Sequence, residues 1–286
     1  MSTRTILTSF LAIFALPIMT AAQDTPQLKV PVGLQLYSLR NQFQADGVEK
    51  TLDKVKALGF KYVELAGTYG QPVEKFRAAL DARGLIPVSA HLGFDLWEKD
   101  PEATAKQAQA LGLKFVGVAW IPHNGDFDEA TCRHAAEVFN KAGKATAALG
   151  IRFFYHNHGY EFQPHEGGTL FDLLVKETDP RLVSFQMDVL WAVHPGQNPA
   201  ELLTKYADRW ILMHFKDLKK GVPTHVFTGS TDTRNDVVLG TGQVRWRPLI
   251  DAIARTKVEY VFIEDESPTP LEQIPQSLKF LSQFQK

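Results

Sequence analysis

The chain has 286 residues, 31 Lys+Arg against 32 Asp+Glu, 44% hydrophobic residues and a single Cys. Ordinary hydrophobic and charged fractions exclude bulk disorder, and a formal charge of -1 leaves no electrostatic footprint for a non-specific grip on nucleic acid. Cys132 alone excludes an intrachain disulfide and a Cys-based zinc cluster, so any metal must be held by nitrogen and oxygen, and nine His supply the nitrogen.

In chain order, Arg4 comes first, then a mostly apolar run over residues 6–19, then the small residues Thr20-Ala21-Ala22. This is the layout of a secretory signal peptide cleaved after Ala22. The run falls short of the ~20 residues that a membrane span needs, and Pro17 interrupts it. The expected organisation is a signal peptide at 1–22, an N-terminal extension at 23–31 and one catalytic domain at 32–286. The mature protein is expected to be exported to the periplasm, with no membrane contact after cleavage.

From residue 32 on, short runs rich in Val, Ile, Phe and Tyr alternate with segments of helical period. The strands are expected at 32–39, 62–66, 87–92, 115–120, 152–156, 183–189, 210–216 and 260–264. The helices between them stop at Gly59, Gly84, Gly112 and Gly150, each suited to a left-handed cap that feeds the next strand. The last two helices are expected at 248–253 and 271–284. Eight strand–helix units in about 250 residues match an α/β fold of the closed (β/α)8 TIM-barrel type. A doubly wound sheet often carries a glycine-rich phosphate loop after its first strand. Here Tyr37-Ser38-Leu39-Arg40-Asn41 stands there instead. The segment 219–238 is long for a βα loop, which suits an active-site lid or a mobile loop.

In a barrel, chemistry sits where strands end. Reading those points gives Glu64, His91, Trp120 and His123, then Tyr155-His156-Asn157-His158, Asp188, His214 and Lys216, and Glu264-Asp265-Glu266. Singly, each has a plainer reading as a helix cap, a bonded core histidine or a solvated loop charge. Together, His156 or His158, Asp188, His214 and Glu264 come from four consecutive strands and are expected to converge on one divalent ion (Mn, Co, Zn or Fe). Alternation puts His156 and His158 on one face of strand five, so one can ligate while the other moves a proton. His156 is the preferred ligand. The same alternation puts His214 and Lys216 on one face of strand seven.

These segments, with Gly33-Leu34-Gln35-Leu36-Tyr37-Ser38-Leu39-Arg40, Ser89-Ala90-His91, His214-Phe215-Lys216-Asp217 and Leu239-Gly240-Thr241-Gly242, carry a resemblance over nearly the whole mature chain. The chain resembles the sugar phosphate isomerase/epimerase superfamily with the xylose isomerase-like barrel. The resemblance implies a divalent metal held by strands five to eight, with Asp188, His214 and Glu264 matching the last three ligands. Strand five departs from it, having His156-Asn157-His158 where that family keeps a Glu, which also removes one acid of its two-glutamate proton shuttle.

The expected function is therefore a metal-dependent isomerase or epimerase of a sugar or keto sugar, working through an enediolate formed by proton abstraction next to a carbonyl. The alternative is a metal-dependent lyase or hydratase that acts on 3-keto glycosides by β-elimination. A sugar-binding protein without catalysis is the third reading. Catalytic roles are expected for His158, Glu264 and Lys216, and substrate contacts for Glu64, His91, Trp120, Glu161, Trp191 and His194. The expected partner is a small carbohydrate, and a homodimer through barrel faces is plausible.

Overall fold

The computed structural model describes residues 25–285; the expected signal peptide lies outside them. Eight parallel strands close a barrel: β1 (Val32–Gln35), β2 (Tyr62–Leu65), β3 (Ile86–His91), β4 (Phe115–Val118), β5 (Arg152–His156), β6 (Val183–Asp188), β7 (Trp210–Phe215) and β8 (Tyr260–Ile263). β1 pairs with β8 and closes the ring. The helices α1 (Arg40–Ala57), α2 (Val73–Asp81), α3 (Phe94–Lys99), α4 (Pro101–Ala110), α5 (Glu129–Ala147), α6 (Leu170–Glu177), α7 (Val189–Val193), α8 (Pro199–Lys205), α9 (Trp246–Ile253) and α10 (Pro270–Leu281) surround it.

Local chemistry starts and stops these elements. Asp100 and Asp128 cap α4 and α5 through backbone N–H groups, and Thr169 with Asp172 makes a reciprocal capping box on α6. Gly59 and Gly150 take φ of 87° and 72° after α1 and α5, the left-handed turn that their positions suggest. Inside the barrel, Val88, Phe115, Phe154, Leu212 and Phe262 form a buried plug. Gly33 and Gly117 leave room for it: a Cβ on Gly117 would stand 2.6 Å from the Phe154 ring, and one on Gly33 would stand 2.6 Å from the Phe262 ring. Outside, the Trp210 ring stacks on Phe171 of α6 at 5.3 Å.

Several strands end earlier than expected. Residues 36–39 form a 3-10 turn that leads into α1 instead of extending β1. β7 stops at Phe215, and Asp217–Leu218 then pairs antiparallel with Asp236–Val237. The segment between these two short strands therefore returns to the barrel as a strap.

Candidate metal and active site

A cavity of about 740 Å³ opens at the C-terminal ends of the strands. His91, His156, His158, His214, Lys216 and Glu264 line its polar part. Tyr37, Trp120 and Trp191 contribute aromatic wall.

The geometry is built from β2 outward. Glu64 is fully buried, and each of its oxygens has two donors. Gln35 Nε2 (2.7 Å) and His214 Nε2 reach Oε1, while Ser89 Oγ (2.5 Å) and Gln186 Nε2 (2.8 Å) reach Oε2. Burial pushes the Glu64 carboxyl up, but His91 and His214 outweigh it and hold the group ionised below its ordinary value. Because Glu64 accepts only, the Gln186 amide nitrogen must face it. The amide oxygen then faces His91 Nε2 (2.7 Å) and His156 Nδ1 (3.1 Å). An amide oxygen only accepts, so His156 carries its proton on Nδ1 and turns the lone pair of Nε2 toward Asp188.

His214 has its Nε2 occupied by Glu64, and its Nδ1 faces Glu264 Oε2 at 3.0 Å. Burial works against the charged form of His214, but Glu64 and Glu264 prevail and raise it well above the ordinary value. Asp188 divides its two oxygens between two roles. Oδ1 accepts from Trp191 N at 3.0 Å and caps α7. Oδ2 is buried without a hydrogen bond, with His156 Nε2 and His214 Nδ1 each 3.8 Å away and Lys216 Nζ at 3.9 Å. An orphaned carboxylate oxygen facing two imidazole nitrogens and a second carboxylate is a donor set that fits a first-row divalent cation. The helix-cap reading of Asp188 is met by Oδ1, and Oδ2 is the atom left over for a ligand role.

Residues 52–284 match the xylose isomerase-like TIM barrel family. The chain belongs to that family. It is similar to the inosose dehydratase of Clostridium botulinum strain Alaska E43 / Type E3, at 26% identity over 264 residues, covering 82% of this chain and 88% of that protein. Among solved structures, a sugar phosphate isomerase/epimerase from Parabacteroides distasonis ATCC 8503 superposes with a TM-score of 0.74 at 22% identity, covering 95% of this chain and all of that one. The IOLI protein, solved with a bound zinc atom, superposes with a TM-score of 0.67 at 13% identity, covering 88% of this chain and 96% of that one. Both structures share the fold. This family of xylose isomerase-like barrels is an enzyme family, and dehydratases and isomerase/epimerases both occur in it.

Within this family frame, the residues expected at the site separate into three groups. His156, Asp188, His214 and Glu264 come together as described. His91, Trp120 and Trp191 line the cavity, and Trp120 is 44% exposed. Glu64, Glu161 and His194, expected to touch substrate, do not line it. Glu64 lies beneath His214. Glu161 is 0% exposed and accepts from the Tyr155 hydroxyl and from His158 N at 2.9 Å, so it fixes the backbone of the cavity wall from behind. His194 is buried edge-on to Trp191, and its carbonyl receives Val226 N.

His158 follows β5 and lies with its ring parallel to Tyr160 at 5.7 Å, and its Nδ1 has no hydrogen-bond partner. Burial, with Lys216 adding to it, pushes the imidazole down to about 3, so it stands neutral. Lys216 donates to Glu266 Oε1 at 2.5 Å and Glu264 Oε2 at 3.3 Å. Burial disfavours its charge, but Glu264 and Glu266 keep it protonated. Sequence reasoning missed Gln186, Gln35 and Ser89. Gln186 was reachable, since it lies two residues before Asp188 on β6 and therefore shares its inward face.

Proposed function

We propose that this chain is a metal-dependent lyase that removes the proton next to the carbonyl of a keto sugar or keto cyclitol and then expels the oxygen substituent on the next carbon. The carrying observation is the orphaned Asp188 Oδ2 between His156, His214 and Glu264, beside the neutral imidazole of His158. The similarity to inosose dehydratase supports elimination over isomerisation. So does the histidine in strand five, which leaves the family's two-glutamate shuttle without one acid. The isomerase or epimerase outcome shares the same proton abstraction and differs only in where that proton returns.

A divalent ion held by His156, Asp188, His214 and Glu264 would polarise the carbonyl as a Lewis acid. The zinc in the IOLI protein supports a metal of this kind. His158 accepts the proton from the carbon beside the carbonyl. Lys216 presents a fixed positive charge to the negative charge that develops on oxygen. Among the described lining residues there is no Arg, and Lys216 is surrounded by carboxylates, so the cavity has no free anchor for a phosphate. The substrate is accordingly uncharged. Trp120 and Trp191 offer flat apolar surface to a sugar ring.

The test uses full-length protein loaded with Mn or Zn in deuterated water, with inosose and a 3-keto glucoside as probes. The expected result is deuterium beside the carbonyl and a product lighter by one water or by the aglycone. Deuterium with unchanged product skeleton and no loss selects the isomerase reading. Elemental analysis is expected to show metal lost from Asp188→Ala and His156→Ala and retained in His158→Ala. Full metal in both of the first two variants refutes the site.

A further inference from the structure

An elimination needs a base for the carbon-bound proton and an acid for the departing oxygen. His158 supplies the first, and the protonated Lys216 is already engaged by Glu264 and Glu266, so the second must be sought elsewhere in the cavity. Among the described residues, four carboxyl side chains line the cavity: Asp95, Asp236, Glu264 and Glu266. Glu264 belongs to the metal cluster. Glu266 is already engaged by two cations, with Lys216 Nζ at 2.5 Å and Arg40 at 3.7 Å. Asp95 is exposed to water on the first turn of α3. Asp236 differs from all three. It is 4% exposed, its Oδ2 accepts from Glu266 N at 2.8 Å, and its nearest cation, Lys216 Nζ, is 4.0 Å away, beyond hydrogen-bond reach.

Asp236 is also held in place. Its backbone pairs antiparallel with Leu218 directly after β7, so the strap returns it to the cavity at a fixed register. The neighbouring pair Lys219 N to Asn235 O, at 2.8 Å, closes the same junction. The long segment between β7 and α9 thereby has a chemical product: it brings one buried carboxyl to the mouth of the barrel from outside the eight strands.

We propose that Asp236 is the general acid that protonates the departing oxygen in the elimination reaction, and this rests on the lyase reading given above. Burial raises its carboxyl well above the ordinary value, with the charges of Asp265 and Glu266 adding to it and Lys216 and the hydrogen bond from Glu266 N opposing it, which agrees with a group that carries its proton at neutral pH. The step balances. His158 takes the proton from the carbon next to the carbonyl, and that C–H pair becomes the new C=C bond. The bond from the adjacent carbon to oxygen breaks with its pair on oxygen, and Asp236 gives that oxygen a proton. Water or an alcohol leaves and an unsaturated ketone remains. Solvent returns a proton from the His158 imidazolium to the Asp236 carboxylate, and no oxidant or reductant is involved.

The experiment compares wild type with Asp236→Asn on two 3-keto β-glucosides, one releasing methanol and the other 4-nitrophenolate, in deuterated water with Mn. An alcohol needs a proton to leave, whereas 4-nitrophenolate does not. Methanol release is expected to fall about 100-fold or more, the usual scale of a lost general acid. Release of 4-nitrophenolate is expected to fall less than about 10-fold on the same scale. Deuterium is expected to enter recovered methyl glucoside in the variant, because proton abstraction is intact. Asp236→Glu is expected to restore part of the methanol rate, which a purely structural asparagine defect would not allow. Equal losses with both leaving groups, loss of exchange together with release, or no loss at all each overturn the role of Asp236. Wild type that exchanges without release overturns it too, in favour of isomerisation. Wild type that neither exchanges nor releases either probe refutes the parent reading and this one with it.

Discussion

At the mouth of the barrel, His214 and His156 each have one ring nitrogen settled by a neighbour, whereas His158 is held through its backbone. Glu64 settles His214, Gln186 settles His156, and the Glu161 carboxylate holds the backbone N–H of His158. Such outer partners fix ring orientation and tautomer, and they are as much a part of a site as the ligands. Glu161 shows what this costs. Burial raises its carboxyl from 4.5 to about 7, even though Tyr155 and His158 N stabilise its charge. Between those two values the folded chain keeps a proton that the unfolded chain has lost. Stability must therefore fall as pH rises from about 4.5 to about 7, by on the order of 3 kcal/mol. A Gln at this position keeps an acceptor for His158 N and cannot ionise. Urea unfolding of wild type and Glu161→Gln at pH 5 and pH 7.5 is expected to show the variant gaining relative stability at the higher pH. Parallel pH profiles would show that Glu161 does not carry the slope.

At the level of elements, the strap over residues 219–238 is fastened at its ends and also between them, where Val226 N donates to His194 O at 3.3 Å. The ends meet at the pairing of Asp217–Leu218 with Asp236–Val237. The middle is tied by Gly159 N donating to Thr228 O at 3.2 Å. Close by, Gly229 packs so tightly on the Trp120 ring that a Cβ there would stand 2.4 Å from it. A Cβ on Gly159 would meet Thr228 O at 2.5 Å, and the backbone of Gly159 (φ -96°) is open to alanine. Gly159→Ala should therefore push the strap away without disturbing the helix turn beneath it. The expected cost is about 1–3 kcal/mol, as for other overpacked contacts. A raised KM with faster proteolytic cleavage within the strap is expected, and unchanged KM and cleavage would mean that the strap does not shape the site. Much of the element plan was legible in the sequence, because β-branched and aromatic runs and glycine stops mark strands and helix ends locally. The strand ends were read too long at 36–39 and 216 because inward-facing side chains just past a strand keep its alternation. The strap's conformation was not legible, since Thr228 is fastened by a residue 69 positions away in sequence.

Across the whole molecule, the near-zero net charge conceals a local concentration of carboxylates. Glu64, Asp188, Asp236, Glu264, Asp265 and Glu266 gather at one end, with Lys216 as the buried lysine among them. The constellation of Asp188, His214 and Glu264 was legible because charged groups inside apolar runs are costly unless they share a purpose. Asp236 was not, because an aspartate in a loop carries no sequence signal until the fold brings it to the cavity, and Gln186 was reachable only through its alternation with Asp188 on β6. A cluster with this excess of carboxylate is only partly compensated by His214 and Lys216, and Asp188 Oδ2 retains an unmet need. A cation that binds the folded cluster and not the unfolded chain must stabilise the whole barrel. At free metal about 100-fold above Kd the gain is about 2.7 kcal/mol. Thermal unfolding of wild type is therefore expected to shift upward with added Mn or Zn and to return on chelation. In Asp188→Ala the metal-dependent shift should vanish. A shift of equal size in the variant would place the cation elsewhere on the molecule, because the remaining histidines and Glu264 cannot replace a ligand that sits between both imidazoles.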